Sequence, residues 1–153
     1  MSNKVVVDAS LALKWVLRED DSDLARSLLT SWNGNGVEIM VPALFAYEIT
    51  NILYRQVVTN KLTYEQASFF QEGIFSLKIA FDFSHHKEIS RKAMFLANRF
   101  RLPASYDAHY LALAEREQCE YWTADARLLN GLRGQLPWVR NLSDHQTDGS
   151  DAT

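Results

Sequence analysis

Apolar and polar positions alternate in blocks along this chain, and the blocks change period from strand to helix several times. Val5-Val6-Val7 is a β-branched run without alternation, ending on Asp8. Such a run suits a strand covered on both faces. Ser10 to Leu17 follows as a short helix. Asp20 to Asp23 is an acidic cluster that opens a second helix with Leu24, Leu28 and Leu29 on one face, and Asn33-Gly34-Asn35-Gly36 stops it. Val37 to Val41 is a second strand. Pro42 suits the start of a helix from Ala43 to about Thr59, in which Leu44, Glu48, Ile52 and Arg55 share a row. Thr63 and Gln66 form a capping box for a helix reaching about Phe75. Ile79 to Phe83 is a third strand.

Ser84 to Arg101 is strongly amphipathic. Ile89, Ala93, Leu96, Ala97 and Phe100 recur at helical spacing, and Lys87, Arg91, Lys92 and Arg99 lie on the other face. A helix from Tyr106 to Gln118 buries Tyr110, Leu111 and Ala114. Glu120 to Thr123 is a fourth strand, Asp125 to Leu132 a helix, and Trp138 to Arg140 a short fifth strand. Strands separated by helices require parallel pairing through right-handed crossovers. The expected fold is therefore α/β, a sheet of four to five parallel strands with helices on both faces. Residues 1–142 form one domain, and the polar stretch 143–153 lacks periodicity and is expected to be a frayed tail.

Composition narrows the class. The 153 residues suit a single core, and 47% of them are hydrophobic, which excludes disorder for the bulk. A single cysteine, Cys119, allows no internal disulfide and no cysteine-built metal site. No apolar run approaches the ~20 residues that span a bilayer, and the start lacks the layout of a signal peptide. A soluble cytoplasmic protein with no membrane partner is expected. The net charge of −3 argues against nucleic-acid binding. Its distribution softens the objection: outside the tail and four candidate site acids, 12 acids stand against 16 bases.

Those four acids are Asp8, Glu48, Asp107 and Asp125. Open α/β sheets bind ligands beyond the carboxyl ends of their strands. Asp8 ends the first strand, and Asp125 follows the fourth by two residues. Asp107 lies in the first turn of a helix leading back into the fourth strand, and Glu48 lies on the core-facing row of its helix. Taken singly, each aspartate is better read as a helix cap or a first-turn acid. Glu48 is harder to dismiss, because a buried unpaired carboxylate is costly. The case rests on all four falling toward one rim. Four such carboxylates repel one another unless a hard divalent ion, Mg²⁺ or Mn²⁺, lies among them. That ion would activate water against a phosphodiester.

Ser10 and Thr123 either orient the carboxylates or serve only local hydrogen bonding, the latter being slightly favoured. Asn51 either steadies Glu48 or faces solvent. The Lys87, Arg91, Lys92 and Arg99 face either tracks a phosphate backbone or is a solvated helix face, and the second is the better reading. His85, His86 and His109 are expected at the surface. Trp15, Trp32, Trp122 and Trp138 are expected to pack in the core or at an interface. No glycine-rich phosphate loop, nucleophile elbow or zinc-spaced histidine pair is present.

The blocks Val5-Val6-Val7-Asp8-Ala9-Ser10, Glu48-Ile49-Thr50-Asn51-Ile52-Leu53, Tyr106-Asp107-Ala108-His109-Tyr110-Leu111-Ala112-Leu113-Ala114 and Trp122-Thr123-Ala124-Asp125-Ala126-Arg127-Leu128 occur in this order. Together they resemble the PIN domain, and more narrowly the VapC-like toxin ribonucleases of type II toxin–antitoxin pairs. The resemblance implies a PIN-like three-layer α/β/α sandwich and a Mg²⁺-dependent endoribonuclease, with Mn²⁺ able to substitute. Asp8, Glu48, Asp107 and Asp125 match the family's catalytic and metal-holding acids, and Ser10 and Thr123 its accessory hydroxyls. It further implies an RNA substrate, homodimerisation and inhibition by a small cognate antitoxin. Some relatives carry one more acid after the last; this chain has Ala126 and Arg127, which bears on a second metal and not on the first. The alternatives are a non-catalytic PIN-like module that holds RNA or protein, and a metal-dependent phosphatase. The absence of Asp-x-Asp after the first strand counts against a dehalogenase-like phosphatase.

Overall fold

The computed structural model describes residues 3–145. Five strands, β1 (Lys4–Val7), β2 (Glu38–Pro42), β3 (Ile79–Asp82), β4 (Glu120–Thr123) and β5 (Val139–Asn141), form one sheet in the order β3-β2-β1-β4-β5. Every pairing is parallel. The helices are α1 (Ala9–Val16), α2 (Ser22–Gly34), α3 (Leu44–Val58), α4 (Tyr64–Phe75), α5 (His86–Phe100), α6 (Tyr106–Glu117) and α7 (Ala126–Leu132). This is the expected α/β/α sandwich.

The chain grows outward from β1 to β2 and β3, then returns across the sheet to β4 and β5. The order therefore reverses between β1 and β4, and the carboxyl ends of that pair flank the crevice at which such sheets bind ligands. Val5, Val6 and Val7 are buried because β1 is central and covered. Tyr121 and Trp122 of its neighbour β4 are buried as well. The helix α6 lies across β1, β2 and β4 and packs against α5, while α1 packs against α2, α3 and α4.

Local signals act as the residues dictate. Thr63 and Gln66 exchange the two hydrogen bonds of a capping box at the start of α4. The helices α5 and α6 end on Arg101 and Gln118 in the left-handed region. Pro42 differs from expectation: it closes β2, opposite Asp82 of β3, and α3 begins only at Leu44. A strand's last residue tolerates a missing N–H as readily as a helix's first turn does. The third strand stops at Asp82, leaving Phe83 exposed. Trp15, Trp32 and Trp122 are buried and Trp138 packs against the core. Ser143 and Asp144 join Leu142 in a 3-10 turn capped by Asn141, and the remainder of the stretch expected to fray, 146–153, lies outside the described residues. No helix of the described residues is long and apolar enough to cross a membrane.

Phe45 is fully buried on α3 and meets Phe81 of β3 edge to face, with centroids 5.9 Å apart. Phe45→Ala is expected to lower unfolding stability by about 3–5 kcal/mol in urea titrations. A loss below about 1 kcal/mol would contradict this packing.

Candidate functional site

Asp8 sits between β1 and α1 and is only 4% exposed. Its backbone is extended, so it serves as the N-cap of α1 and accepts from the Leu11 amide at 3.1 Å. Ser10 Oγ donates to the same Oδ1 at 2.6 Å. Its Oδ2 accepts from the hydroxyls of Tyr121 and Thr123. A carboxylate offers about four in-plane acceptor positions, and Asp8 uses four.

The hydroxyls also stitch the neighbouring loop. Thr123 Oγ1 accepts from the Asp125 amide at 3.0 Å, and Ser10 Oγ from the Ala124 amide at 3.2 Å. The ends of β1 and β4 are thus locked together by side chains as well as by the ladder. Asp125 caps α7, with Oδ1 accepting from the amides of Arg127 at 2.9 Å and Leu128 at 3.3 Å. Its Oδ2 has no hydrogen-bond partner among the described residues.

Glu48 is half-buried on α3, and Tyr110 of α6 donates to its Oε1. Arg55, on the same α3 row, is exposed. Asn51 is exposed too and makes no hydrogen bond to Glu48 among the described residues. Three residues along a helix turn the side chain about 60° away, and here that turn is toward solvent. Asp107 is half-buried in the first turn of α6, and its carboxylate accepts no hydrogen bond among the described residues.

Electrostatics tie the four together. Burial raises the Asp8 carboxyl above its ordinary range, against the pull of its four donors. Glu48 is raised first by burial, with the Tyr110 bond opposing and Asp8 and Asp125 adding repulsion. Asp107 is pushed from 3.8 to about 6 by burial, then by Asp125, Asp8 and Glu48. None of the four enters an ion pair among the described residues. The side chains do not close into a cage, however: among the described residues no three His, Cys, Asp or Glu side chains form a ready-made metal site. The donor set nevertheless suits a hard divalent cation. It is all carboxylate, is mutually repelling, and leaves oxygens free on Glu48, Asp107 and Asp125.

Two tyrosine hydroxyls escaped the sequence reading, which has Tyr110 only as a buried position of its helix. Tyr110 and Tyr121 are fully buried and stacked, with centroids 5.7 Å apart and planes 10° off parallel. One hydroxyl goes to Glu48 and the other to Asp8. Burial and the neighbouring carboxylates hold both phenols well above their ordinary range, so they act as donors. The signal was available: a buried tyrosine seeks a hydrogen-bond partner, Tyr110 lies one turn after Asp107, and Tyr121 shares its strand face with Thr123.

Lys87 and Arg91 are exposed in the first half of α5. Lys92 pairs with Glu115 of α6 at 2.7 Å, and Arg99 is about 18 Å along the axis from Lys87. The four cations are therefore spread along α5 and do not form one compact patch. His86 is exposed, while His85 and His109 are half-buried and bonded to Asp82 Oδ1 and the Ser105 carbonyl.

A PIN domain family model matches residues 5–131, which contain all four acids and both tyrosines. The chain belongs to the PIN-domain family. PIN domains are a family of metal-dependent nucleases. Among solved structures, this PIN domain is similar to PAE2754 from Pyrobaculum aerophilum, with 19% identity, a TM-score of 0.66, and coverage of 92% of this chain and 85% of that one. At that identity the likeness concerns the fold. No curated protein matches the sequence.

Burial of Asp107, with carboxylate repulsion added to it, shapes the pH response of the metal-free PIN domain. A carboxyl raised in the folded state contributes stability below its unfolded value near 3.8, and that contribution is lost as pH rises through about 6. In EDTA, Asp107→Asn is expected to raise the melting temperature at pH 8 by about 2–4 °C and to leave it unchanged at pH 3.5 to 4. An equal shift at both pH values, or a fall at pH 8, would contradict the raised Asp107 carboxyl.

Proposed function

We propose that this PIN domain is an endoribonuclease that hydrolyses RNA phosphodiester bonds with a divalent metal, Mg²⁺ or Mn²⁺. The observation that carries this reading is the mutual repulsion of four carboxylates near the switch point of the sheet, with no basic side chain paired to any of them among the described residues. Asp8 and Asp125 would be the principal ligands, and Glu48 and Asp107 would complete the set or position water. When bound, the metal supplies an activated water and neutralises charge developing on the phosphate.

The chain's own residues do the rest. Tyr121, Thr123, Ser10 and the Leu11 amide fix the Asp8 carboxylate, and a cation held by Asp8 would take the place of one of these donors. Tyr110 fixes Glu48 from the neighbouring helix. Asp107, half-buried and free of hydrogen bonds among the described residues, has both carboxylate oxygens open to a cation or a water.

Toxin biology is the finer proposal, supported by the sequence blocks shared with VapC-like ribonucleases. It includes a cytoplasmic setting, a homodimer and a small cognate antitoxin. Tyr54, Val58 and Phe69, exposed on α3 and α4, supply apolar surface for such partners. The separate domain 1–142 and accessory roles for Ser10 and Thr123 belong to the same proposal. A second reading, a module that binds RNA without cutting it, is favoured by one feature: all four acceptor positions of Asp8 are already occupied.

The test is incubation of the protein with mixed single-stranded and structured RNAs in Mn²⁺. Cleavage is expected, and both EDTA and Asp8→Asn are expected to reduce it by about 100-fold or more. Cleavage that survives either would overturn the metal mechanism. RNA retention without cleavage would favour the binding module. Tyr121→Phe, which removes one donor from Asp8, is expected to alter kcat by no more than about tenfold.

A further inference from the structure

Glu48, Asp107 and Asp125 each keep a carboxylate oxygen that accepts no hydrogen bond among the described residues. Asp8 keeps none, so it alone must release a donor in order to hold a cation. Its four donors differ in what release would cost. The Leu11 amide belongs to the first turn of α1, and turning it away would undo the helix cap. The Tyr121 ring is fully buried and stacked on Tyr110, and its hydroxyl has no second acceptor among the described residues. A buried hydroxyl left without a partner is costly.

Ser10 and Thr123 have an alternative, because their hydroxyl oxygens lie 3.4 Å apart and either can donate to the other. A hydroxyl carries one proton and two acceptor positions. Thr123 Oγ1 accepts from the Asp125 amide, which leaves its second acceptor position for Ser10. Ser10 Oγ accepts from the Ala124 amide, a bond that does not depend on where the Ser10 proton points. Rotation of that proton from Asp8 Oδ1 to Thr123 Oγ1 therefore frees a carboxylate lone pair and leaves none of these groups unsatisfied. The reverse exchange, from Thr123 to Ser10, would vacate Oδ2, the oxygen shared with the fully buried Tyr121. Thr123 is fully buried too, whereas Ser10 is half-buried, the only one of the three hydroxyl donors with exposed surface.

We propose that Ser10 is a positioning residue that sets how tightly Asp8 takes up a divalent cation. Its hydroxyl holds the carboxylate in the metal-free protein and turns to Thr123 when Asp8 binds the ion. This rests on the metal-dependent nuclease reading and deepens it at one residue. Ser10 competes with the cation for Asp8, while Tyr121 and the Leu11 amide stay in place in both states. A hydroxyl bonds more strongly to a charged acceptor than to a neutral one. The exchange from Asp8 to Thr123 therefore lowers the affinity of the site for its ion.

The test is Mn²⁺ binding by the full chain without RNA, read from the EPR signal of the free ion. Ser10→Ala is expected to bind Mn²⁺ about 3- to 30-fold more tightly than the unaltered protein. Ser10→Thr, which keeps the hydroxyl, and Tyr121→Phe, which removes a donor that stays, are each expected to remain within about twofold. Thr123→Val removes the recipient of the Ser10 proton, so Ser10→Ala is expected to gain more in that background than alone. Melting gives a second readout: the loss caused by Ser10→Ala in EDTA is expected to shrink in saturating Mn²⁺. A merely structural serine would lower both melting temperatures equally. Equal or weaker Mn²⁺ binding by Ser10→Ala, an equal gain in both backgrounds, or a matching gain from Tyr121→Phe would each overturn the proposal. Binding that Asp8→Asn abolishes and Ser10→Ala leaves unchanged would sink the proposal alone. Absence of Mn²⁺ binding by the unaltered protein and every variant would sink the metal reading and the proposal together.

Discussion

Repulsion among four carboxylates is the constraint around which this molecule is arranged. The fold brings Asp8, Glu48, Asp107 and Asp125 to one rim, and no lysine or arginine among the described residues pairs with them. Each buried carboxylate is costly unless it is hydrogen-bonded or protonated. The protein meets this cost in two ways. Asp8, the deepest, receives four donors, and Glu48 receives one. Asp107 receives none among the described residues and moves to about 6 instead. A site tuned only for stability would have supplied a basic partner.

The donors explain features of the fold that would otherwise look unrelated. The stack of Tyr110 on Tyr121 is a core contact and also delivers two hydroxyls to two acids. Thr123, fully buried at the end of β4, joins Asp8 to the backbone that leads into Asp125. The reversal of chain order between β1 and β4 creates the crevice, and side chains from both strands then rigidify its floor. Packing and site geometry are therefore not separable here.

Much of this was legible in the sequence because periodicity reports burial directly. The Val5 to Val7 run, the amphipathic helix beginning near Ser84 and the Thr63 to Gln66 box each correspond to an element with the expected type. The strand–helix alternation implied parallel pairing, and the approach of Asp8 to Asp125 followed from strand ends alone. Boundaries were less legible, as Pro42 shows, since proline suits a strand end and a helix start alike. The tyrosine donors were hidden for another reason. In a pattern of apolar positions, Tyr110 and Tyr121 count as core, and their hydroxyls matter only once the partners across the fold are known. Asn51 was open between two readings, and it faces solvent: closeness to Glu48 along the chain does not turn its amide toward it.

The central claim is that these acids are gathered for a divalent cation. The most direct measurement is the melting temperature at pH 7.5 as Mn²⁺ is titrated into the metal-free protein, alongside Asp8→Asn and a variant in which all four acids are made amides. A saturable rise is predicted for the unaltered protein, a much weaker one for Asp8→Asn, and none when all four charges are removed. A melting temperature indifferent to Mn²⁺, or a rise that persists without the four carboxylates, would contradict the account.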